Sequence, residues 1–265
     1  MKIKPIIIKL GGSTITYKAK PKTANHQTIE KLAKEIAETK TRRLIIVHGG
    51  GSFGHPLARK YAIDDGFQHL SQVMGFAETH EAMTVLNGTI VKALIRHNIP
   101  AVGLAASSFI ITKLGRIKKL ETDIIARLLN MNFVPVLYGD AVLDSEKGFT
   151  ILSGDQLIAK LAIDLNADRI IIGVDVDGLY TADPKSDPSA KRIPRMTLNE
   201  LRRAQSWAES TKVTDVTGGM RGKIIELIPA IEHGVRAMIL NARKHDTVRR
   251  ALMNERVVGT IIEKE

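Results

Sequence analysis

The sequence predicts an α/β protein in which a mainly parallel central sheet lies between two helix layers, a three-layer α/β/α sandwich. Apolar runs such as Ile6–Leu10 and Leu44–His48 alternate with segments of helical periodicity. Near-continuous isoleucine and valine strands are typical of parallel sheets that are covered on both faces. Two strands also end in glycine-rich segments, at the sheet edge where such folds bind their ligands. We therefore expect one domain over residues 1–265 with a ligand site at that edge.

The other elements follow from their local patterns. Apolar residues recur at helical spacing in Thr28–Glu38 and in the long segment Phe76–His97. Alternation around Asp144–Gly148 indicates a hairpin. The remaining predicted strands are 101–104, 134–138, 169–174, 237–240 and 257–262, and the remaining predicted helices are 123–130, 155–165, 219–232 and 246–253. The loop 181–195 contains three prolines and is expected to cover a ligand.

Composition limits the classes of protein to which the chain can belong. Hydrophobic residues make up 44% of the sequence and charged residues 25%, as in ordinary globular proteins. No apolar run is long enough to span a bilayer and no signal peptide is recognised, so we expect a cytoplasmic protein without a membrane partner. The absence of cysteine excludes disulfides, thiolate catalysis and cysteine-bound zinc.

The formal net charge of +11 fits either a solvated basic surface or the attraction of phosphorylated ligands. Nucleic acid is not expected as a partner, because only 4% of the residues are aromatic and no basic run is interleaved with stacking side chains. The basic patch 18–22 follows the first glycine segment, a position that favours a phosphate lid over a nucleic-acid track.

Glycine-rich segments are the strongest functional signal. Three of them stand where strands end or a helix begins, at 9–13, 49–55 and 217–223. Consecutive glycines expose backbone N–H groups to which an anion can bind. Lys9, His55 and Lys223 add cationic or donor side chains to these segments. The pattern indicates a protein that holds a polyphosphate and a second anion together.

Two familiar nucleotide signatures fit poorly. Gly49-x-Gly51-x-x-Gly54 formally matches the dinucleotide fingerprint, but His55 and a proline follow at once and the expected acidic residue is absent, which leaves a dehydrogenase as a distant alternative. The P-loop pattern is absent, because its glycine spacing is wrong and Ile224 follows the lysine. The chain is therefore not expected to be a Walker-type ATPase. It is not expected to be a protein kinase either, because that class needs a catalytic loop with Asp and Asn.

Each candidate residue also has a plain structural interpretation. Lys9 at a strand end can be solvated, and His55 can be held by a backbone carbonyl. Asp155, at the start of a helix, can serve as a partner of the helix dipole. The segment 175–180 contains an Asp-Gly turn dipeptide. Lys223 lies in the first turn of a helix, where a cation is unfavourable unless a phosphate binds there.

Taken in chain order, the motifs resemble those of the amino-acid kinase superfamily over nearly the whole chain. The motifs that carry this resemblance are Lys9-Leu-Gly-Gly-Ser13, His48-Gly-Gly-Gly51, Ser153-Gly-Asp155, Asp175-Val-Asp-Gly-Leu-Tyr180 with Asp183-Pro184, and Thr217-Gly-Gly-Met-Arg-Gly-Lys223. Within the superfamily, the segments 50–56, 138–140 and 153–155 are similar to those of isopentenyl phosphate kinases. The resemblance implies the amino-acid kinase fold, a homodimer, and transfer of phosphate from ATP with Mg²⁺ to isopentenyl phosphate, which gives isopentenyl diphosphate for isoprenoid biosynthesis.

The resemblance also implies residue roles. His55 would bind the acceptor phosphate, Lys9 and Lys223 would stabilise the transferring phosphoryl group, and Asp155 would orient Lys9. The residues expected to bind the nucleotide are Lys9, Gly11, Gly12, Ser13, Gly51, Asp155, Asp175, Asp177, Gly178, Tyr180, Gly219 and Lys223. The residues expected to bind the acceptor are Gly50, His55, Gly154, Phe76 and Lys18. Mg²⁺ would bridge ATP oxygens with few or no protein carboxylates, so no metal ligand is assigned.

We expect the two halves of the chain to bind different ligands. Residues 1 to about 150 are expected to bind the acceptor, and residues from about 151 to 265 are expected to bind the nucleotide. The acceptor's apolar tail needs an apolar wall, and Val73, Met74, Phe76 and Met83 would either supply it or be ordinary core. Three alternatives stay open, namely a fosfomycin-type kinase, an acylphosphate-forming amino-acid kinase and a non-catalytic ligand-binding protein.

The expected acceptor explains why the sequence shows no obvious catalytic base. A phosphate monoester has a second pKa near 6, so it is largely deprotonated at neutral pH. The difficulty of the reaction is to bring two anions together, which cationic side chains and aligned N–H donors can do.

Overall fold

A central sheet of eight strands organises the chain. The structure is a computed structural model that describes residues 4–184, 186–203 and 220–265. The strands of the central sheet are β1 (Ile6–Leu10), β2 (Leu44–His48), β3 (Ala101–Leu104), β6 (Val134–Tyr138), β9 (Arg169–Val174), β12 (Arg195–Thr197), β13 (Arg236–Asn241) and β14 (Gly259–Glu263). Their order is β12-β14-β13-β9-β1-β2-β6-β3. From β13 to β3 all neighbours are parallel, whereas β14 runs antiparallel to β13 and parallel to β12.

Two smaller sheets accompany the central one. The first has the order β5-β4-β7-β8 and contains β4 (Ile110–Lys113), β5 (Arg116–Leu120), β7 (Asp140–Asp144) and β8 (Gly148–Leu152). The second pairs β10 (Leu179–Tyr180) with β11 (Arg192–Ile193), so part of the predicted loop 181–195 is a strand. The predicted hairpin is confirmed as β7 and β8, whose turn is held by N–H groups that donate to the carboxylate of Asp144.

Helices cover both faces of the central sheet. They are α1 (Gly12–Ile15), α2 (His26–Thr39), α3 (Gly51–Lys60), α4 (Ser71–Arg96), α5 (Asp123–Asn130), α6 (Gly154–Asp164), α7 (198–203 within the described part), α8 (Met220–Glu232) and α9 (Thr247–Leu252). Ile6 and Ile8 pack with α2, α4 and α9 on one face, whereas Ile7 packs with α5, α6 and α8 on the other. This alternation along β1 confirms the predicted three-layer sandwich. None of the helices in the described ranges combines the length and hydrophobicity that a bilayer crossing requires.

Helix α3 differs from the sequence prediction, which treats 49–55 as a turn. The structure places Gly51 at the start of α3, with a φ of +49° that favours glycine. Pro56 lies inside the helix and removes the hydrogen bond that would satisfy the Ser52 carbonyl. The N–H of Lys22 donates to that carbonyl instead, at 3.0 Å. The loop that follows α1 therefore compensates for the proline.

Strand order determines where a ligand can bind. From β1 the chain proceeds to β2 on one side, and it returns as β9 on the other. The carboxyl ends of such neighbouring strands form a crevice at the point where the direction of winding changes. Lys9, His48 and Tyr138 lie at the carboxyl ends of β1, β2 and β6, so these three strands bring their ends together beside this crevice.

Candidate active site

A cleft of about 130 Å³ lies at the carboxyl ends of β1, β2 and β6, beside the N-termini of α3 and α6. Its lining combines glycine backbone, charged side chains and a short apolar stretch. The lining residues are Lys9, Gly12, Gly49, Gly50, Gly54, His55, Ala58, Thr79, Met83, Gly139, Asp140, Ile151, Leu152, Ser153, Gly154, Asp155 and Lys223. The structure thus brings together residues that the sequence analysis selects from distant parts of the chain.

The glycine segments after β1 and β2 touch each other through their backbones. A Cβ on Gly12 would overlap the N atom of Gly51, and a Cβ on Gly49 would lie 2.9 Å from the N atom of Gly12. Gly12 and Gly51 are also the first residues of α1 and α3. N–H groups in the first turn of a helix have no intrahelical acceptor. Two helix N-termini therefore converge on one place, which suits a bound phosphate.

A single carboxylate holds both lysines of the cleft. Lys9 Nζ forms a direct ion pair with Asp155 Oδ2, and Lys223 Nζ lies 3.4 Å from the same oxygen. Asp155 is positioned by the start of α6, where the Ser153 hydroxyl accepts the N–H of Gln156. The second oxygen, Asp155 Oδ1, is buried and has no hydrogen-bond partner within the described residues. The structure therefore leaves one buried acceptor beside the cleft without a hydrogen bond from the described residues.

Burial and mutual charge determine the ionisation of this group. Burial lowers the pKa of Lys9 to about 8; Asp155 opposes the shift, and the nearby charge of Lys223 adds to it. For Asp155, burial favours the neutral acid, but the two lysine charges outweigh it and leave the pKa below its usual value. At neutral pH the Asp155 carboxylate therefore lies between two ammonium groups, so this group of three side chains is positive overall. A phosphate that enters meets a net positive charge.

His55 lies on α3 at the open side of the cleft. The surrounding protein desolvates the ring, and the charges of Lys223, Arg59 and Lys9 lower its pKa further. In the ligand-free protein the ring is therefore neutral at pH 7. His55 would accordingly meet a ligand as a neutral N–H donor and not as a charged imidazolium. A bound phosphate dianion would act in the opposite direction and raise the pKa.

A buried network behind the cleft was not predicted. The His48 Nδ1–H donates to the Gly49 carbonyl at 3.2 Å, and His48 Nε2 accepts the Asn87 amide at 3.2 Å. Burial lowers the pKa of His48 to about 4, so the ring is neutral. Tyr138 stacks on it at 5.2 Å. The network fixes the first peptide of the glycine segment, and its only signal in the sequence is a polar Asn87 on the apolar face of a helix.

Asp140 is a second carboxylate of the cleft that was not assigned a role. Its Oδ2 pairs with His80 Nδ1 at 2.8 Å, and its Oδ1 accepts the N–H of Ala141 at 2.9 Å. Burial raises the pKa of Asp140 despite the neighbouring imidazole. Asp140 and Thr79 lend polar character to a wall that is otherwise formed by Met83, Ile151 and other apolar residues.

The predicted nucleotide residues gather beside the cleft, at the carboxyl end of β9. Ser13 Oγ donates to Asp175 Oδ1 at 3.2 Å, and the Gly11 N–H donates to the Gly173 carbonyl at 2.8 Å. Asp177 accepts from Asn241 Nδ2 at 3.1 Å and from Lys244 Nζ at 2.6 Å. Gly178 has a φ of +131°, and a Cβ there would lie 2.5 Å from Thr260 Oγ1, so the turn requires glycine. Tyr180 follows in β10 and pairs with Arg192.

Some predicted contacts are not brought to the cleft. Phe76 packs at 5.6 Å on Phe149 of β8, in a separate small cluster on the four-stranded sheet. Val73 and Met74 are exposed to solvent, so within that predicted wall Met83 alone lines the cleft. Lys18 is exposed in the loop between α1 and α2. Gly219, with the rest of 204–219, lies outside the described residues.

Comparison with known proteins gives one consistent result. The model of the Amino acid kinase family matches residues 4–241. An isopentenyl phosphate kinase of Methanothermobacter thermautotrophicus is 41% identical over 97% of this chain and 98% of that protein. An isopentenyl phosphate kinase of Methanocaldococcus jannaschii is 36% identical over the same shares. A solved structure of an isopentenyl phosphate kinase superposes with a TM-score of 0.86 at 38% identity, covering 97% of this chain and 99% of that one.

Proposed function

The chain belongs to the amino acid kinase family and is a phosphotransferase, and we propose that it transfers phosphate from ATP to isopentenyl phosphate, forming isopentenyl diphosphate. The observation that carries the proposal is the convergence of Lys9, Asp155 and Lys223 with two glycine-rich helix starts and His55 in one cleft. The full-length likeness to proteins named isopentenyl phosphate kinase supports the choice of acceptor.

The charges of the cleft match the demands of this reaction. Both reactants are anions, and the acceptor phosphate is already ionised at pH 7, so no general base is needed. His55 donates an N–H to the acceptor phosphate. Lys9 and Lys223 stabilise the charge that spreads over the transferring phosphoryl group, and Asp155 keeps both ammonium groups in place beforehand.

Magnesium fits this cleft as a ligand of ATP. The described residues contain no group of three His, Asp or Glu side chains that could hold the ion by themselves. The buried oxygen Asp155 Oδ1, which has no partner among the described residues, is suited to accept a hydrogen bond from a water on the ion. When bound, the ion would neutralise charge on the ATP phosphates.

The two ligands are assigned to the two halves of the chain. Gly50 and His55, from the first half, line the cleft, and Gly154 at the start of α6 completes the acceptor side. Asp175 and Gly178, from the second half, lie beside β9 and are assigned to the nucleotide. The glycine segment after β1 touches both sets, which supports a position of the phosphoryl groups between them.

A homodimer and a cytoplasmic location complete the proposal. The homodimer comes from the family resemblance alone, and the cytoplasmic location comes from the composition, which lacks cysteine. Light scattering on the purified full chain tests the dimer, for which a mass near twice 29.1 kDa is expected.

A substrate screen tests the acceptor. Purified protein with ATP and Mg²⁺ is offered isopentenyl phosphate, dimethylallyl phosphate, fosfomycin, glutamate and uridylate, and ATP consumption is measured for each. We expect the highest kcat/KM with isopentenyl phosphate. A clear preference for fosfomycin or glutamate would assign the chain to one of the other kinase classes, and no turnover together with tight ligand binding would indicate a non-catalytic member.

A further inference from the structure

A hairpin outside the cleft touches α6 and α8, the helices that carry Asp155 and Lys223. The hairpin consists of β4 and β5 and turns at Leu114 and Gly115, both with positive φ. Asp155 lies in the first turn of α6, and Lys223 lies in the first turn of α8. The hairpin was not predicted from the sequence, and none of its residues has a role in the proposed reaction.

Gln156 joins the hairpin to α6. It follows Asp155 directly and is buried. Its Oε1 accepts the N–H of Ile117 at 2.7 Å, and its Nε2 donates to the Gly115 carbonyl at 3.0 Å. A buried amide that uses both its donor and its acceptor is held in one orientation. The first turn of α6 is therefore fixed against the hairpin.

Arg116 joins the same hairpin to α8. Its Nη1 and Nη2 donate to Glu226 Oε1 and Oε2 at 2.5 and 2.8 Å, a bidentate pair. Glu226 lies three residues after Lys223, so the two side chains project from adjacent positions on one side of the helix. The Arg116 side chain is 61% exposed and that of Glu226 only 18%, so a substitution at Arg116 leaves the core intact.

The two contacts lie along one side of the junction between α6 and α8, which also pack directly against each other. A groove of about 130 Å³ opens between α6 and α8, lined by Arg116, Gln156, Lys160 and Glu226 among others. The hairpin turn is itself anchored, because Asp144 accepts the N–H groups of Leu114 and Gly115 at 3.1 and 2.8 Å. A fixed hairpin that binds both walls of a groove can set the width of that groove.

We propose that Arg116 and Gln156 are positioning residues, which together with Glu226 form a clasp that sets the distance between Lys223 and Asp155. Lys223 Nζ lies 3.4 Å from Asp155 Oδ2, so a small displacement of α8 would separate the pair. The inference rests on the proposed phosphoryl transfer, because it concerns a lysine that stabilises the transferring group. The clasp acts on catalysis through Lys223 and touches neither substrate.

The Arg116→Ala variant tests the clasp. We expect kcat to fall about fivefold while the KM values for ATP and isopentenyl phosphate stay within twofold, as for a lost exposed pair that misplaces a catalytic group. The matched control is Arg202→Ala, which removes another arginine–glutamate pair of α8, at Glu232 and farther from Lys223. The charge-swapped variant Arg116→Glu with Glu226→Arg should recover most of the lost rate.

Combination with Lys223→Met separates positioning from general stability. If the clasp acts through Lys223, Arg116→Ala should lower kcat no further in the Lys223→Met background. A multiplicative loss in that background, an equal loss in Arg202→Ala, or no loss in Arg116→Ala alone would overturn the proposal.

Hydrogen exchange gives a readout that does not depend on activity. Amides of residues 223–226 should exchange faster in Arg116→Ala than in Arg202→Ala, and equal exchange in the two variants would overturn the clasp. If the wild-type protein has no activity on isopentenyl phosphate, the proposed function is contradicted. The comparison of hydrogen exchange in the two variants would then still test whether the clasp holds α8 in place.

Discussion

At the scale of single residues, the cleft is dominated by a carboxylate shared by two lysines. Lys9 is a buried cation whose ordinary hydration has been replaced by Asp155. Burial with incomplete compensation explains why its pKa falls to about 8. The second lysine, Lys223, contacts the same oxygen of Asp155. Its charge makes the electrostatic potential of the cleft more positive, and it also lowers the pKa of Lys9.

The pKa of Lys9 predicts how activity depends on pH. The ammonium form is the active one, so kcat/KM at subsaturating substrates should fall as the pH rises through about 8. Asp155→Asn removes the charge that raises this pKa and should move the descending limb to lower pH. Lys223→Met removes a charge that lowers it and should move the limb to higher pH. A profile that stays flat to pH 10 in all three proteins would contradict the assigned role of Lys9.

His55 is expected to act as a donor to the acceptor phosphate. His55→Gln keeps a donor without a titratable ring, whereas His55→Ala removes both. At saturating ATP, the Gln variant should therefore keep much more kcat/KM for isopentenyl phosphate than the Ala variant. Circular dichroism serves as the folding control. Equal and near-complete loss in both variants would point to chemistry that needs an imidazole, and full activity of His55→Ala would indicate a purely structural histidine.

At the scale of elements, the site depends on two glycine segments that approach each other without side chains. A Cβ on Gly12 overlaps the backbone of Gly51. Gly12→Ala should therefore push α1 and α3 apart and lower kcat/KM about 100-fold, since a displacement of about 1 Å suffices for such a loss. The measurement is steady-state turnover of isopentenyl phosphate beside a melting curve.

The matched control is Gly88→Ala. A Cβ at Gly88 meets no atom within 4 Å, and the residue lies inside the long helix α4. Alanine should stabilise that helix by up to about 1 kcal/mol and leave turnover unchanged. If Gly12→Ala behaved like Gly88→Ala, the close approach of the two segments would have no part in the activity.

The elements that the sequence predicts well are those with an uninterrupted period. Strands such as Leu44–His48 were predicted at their observed bounds, because both faces of each strand are buried and every residue is apolar or functional. Helix α3 was missed since its glycines and Pro56 are local signals for a turn, and the hydrogen bond from Lys22 that compensates for the proline comes from another part of the chain. The hairpin of β4 and β5 was missed because its strands are short and half-exposed.

In the candidate site, too, residues with a local signal in the sequence could be predicted, whereas contacts between distant residues could not. Lys9 and Asp155 could be predicted together because Lys9 lies near the carboxyl end of β1 and Asp155 lies in the first turn of α6, and His55 could be added because it follows the glycine segment after β2. The His48–Asn87 and His80–Asp140 pairs could not, since they join residues 39 and 60 positions apart that share no local pattern. Phe76 was expected at the acceptor, but it packs on Phe149 of the four-stranded sheet.

At the scale of the whole molecule, the winding of one sheet explains the proposed division of labour. Strands on one side of β1 come from the first half of the chain, and β9 and β13 on the other side come from the second half. The two ligands would therefore approach from opposite sides and meet above β1. The reaction would take place where Lys9 and Asp155 join the halves.

Separate binding of the two ligands follows from this division. His55→Ala should weaken binding of isopentenyl phosphate and leave the Kd of ATP within about twofold, whereas Asp175→Ala should do the reverse. Isothermal titration with each ligand alone measures both constants. Equal weakening of both ligands by either variant would contradict the assignment of the two halves.

The most direct test of the central claim is phosphorus NMR of the reaction itself. Full-length protein, ATP, Mg²⁺ and isopentenyl phosphate should convert the singlet of the phosphate monoester into the two coupled signals of a diphosphate, with an equal amount of ADP. Lys9→Met should slow this conversion by about 10²–10³-fold, as expected for loss of one preorganised charged donor. A monoester signal that remains unchanged while the same protein phosphorylates glutamate would contradict the account.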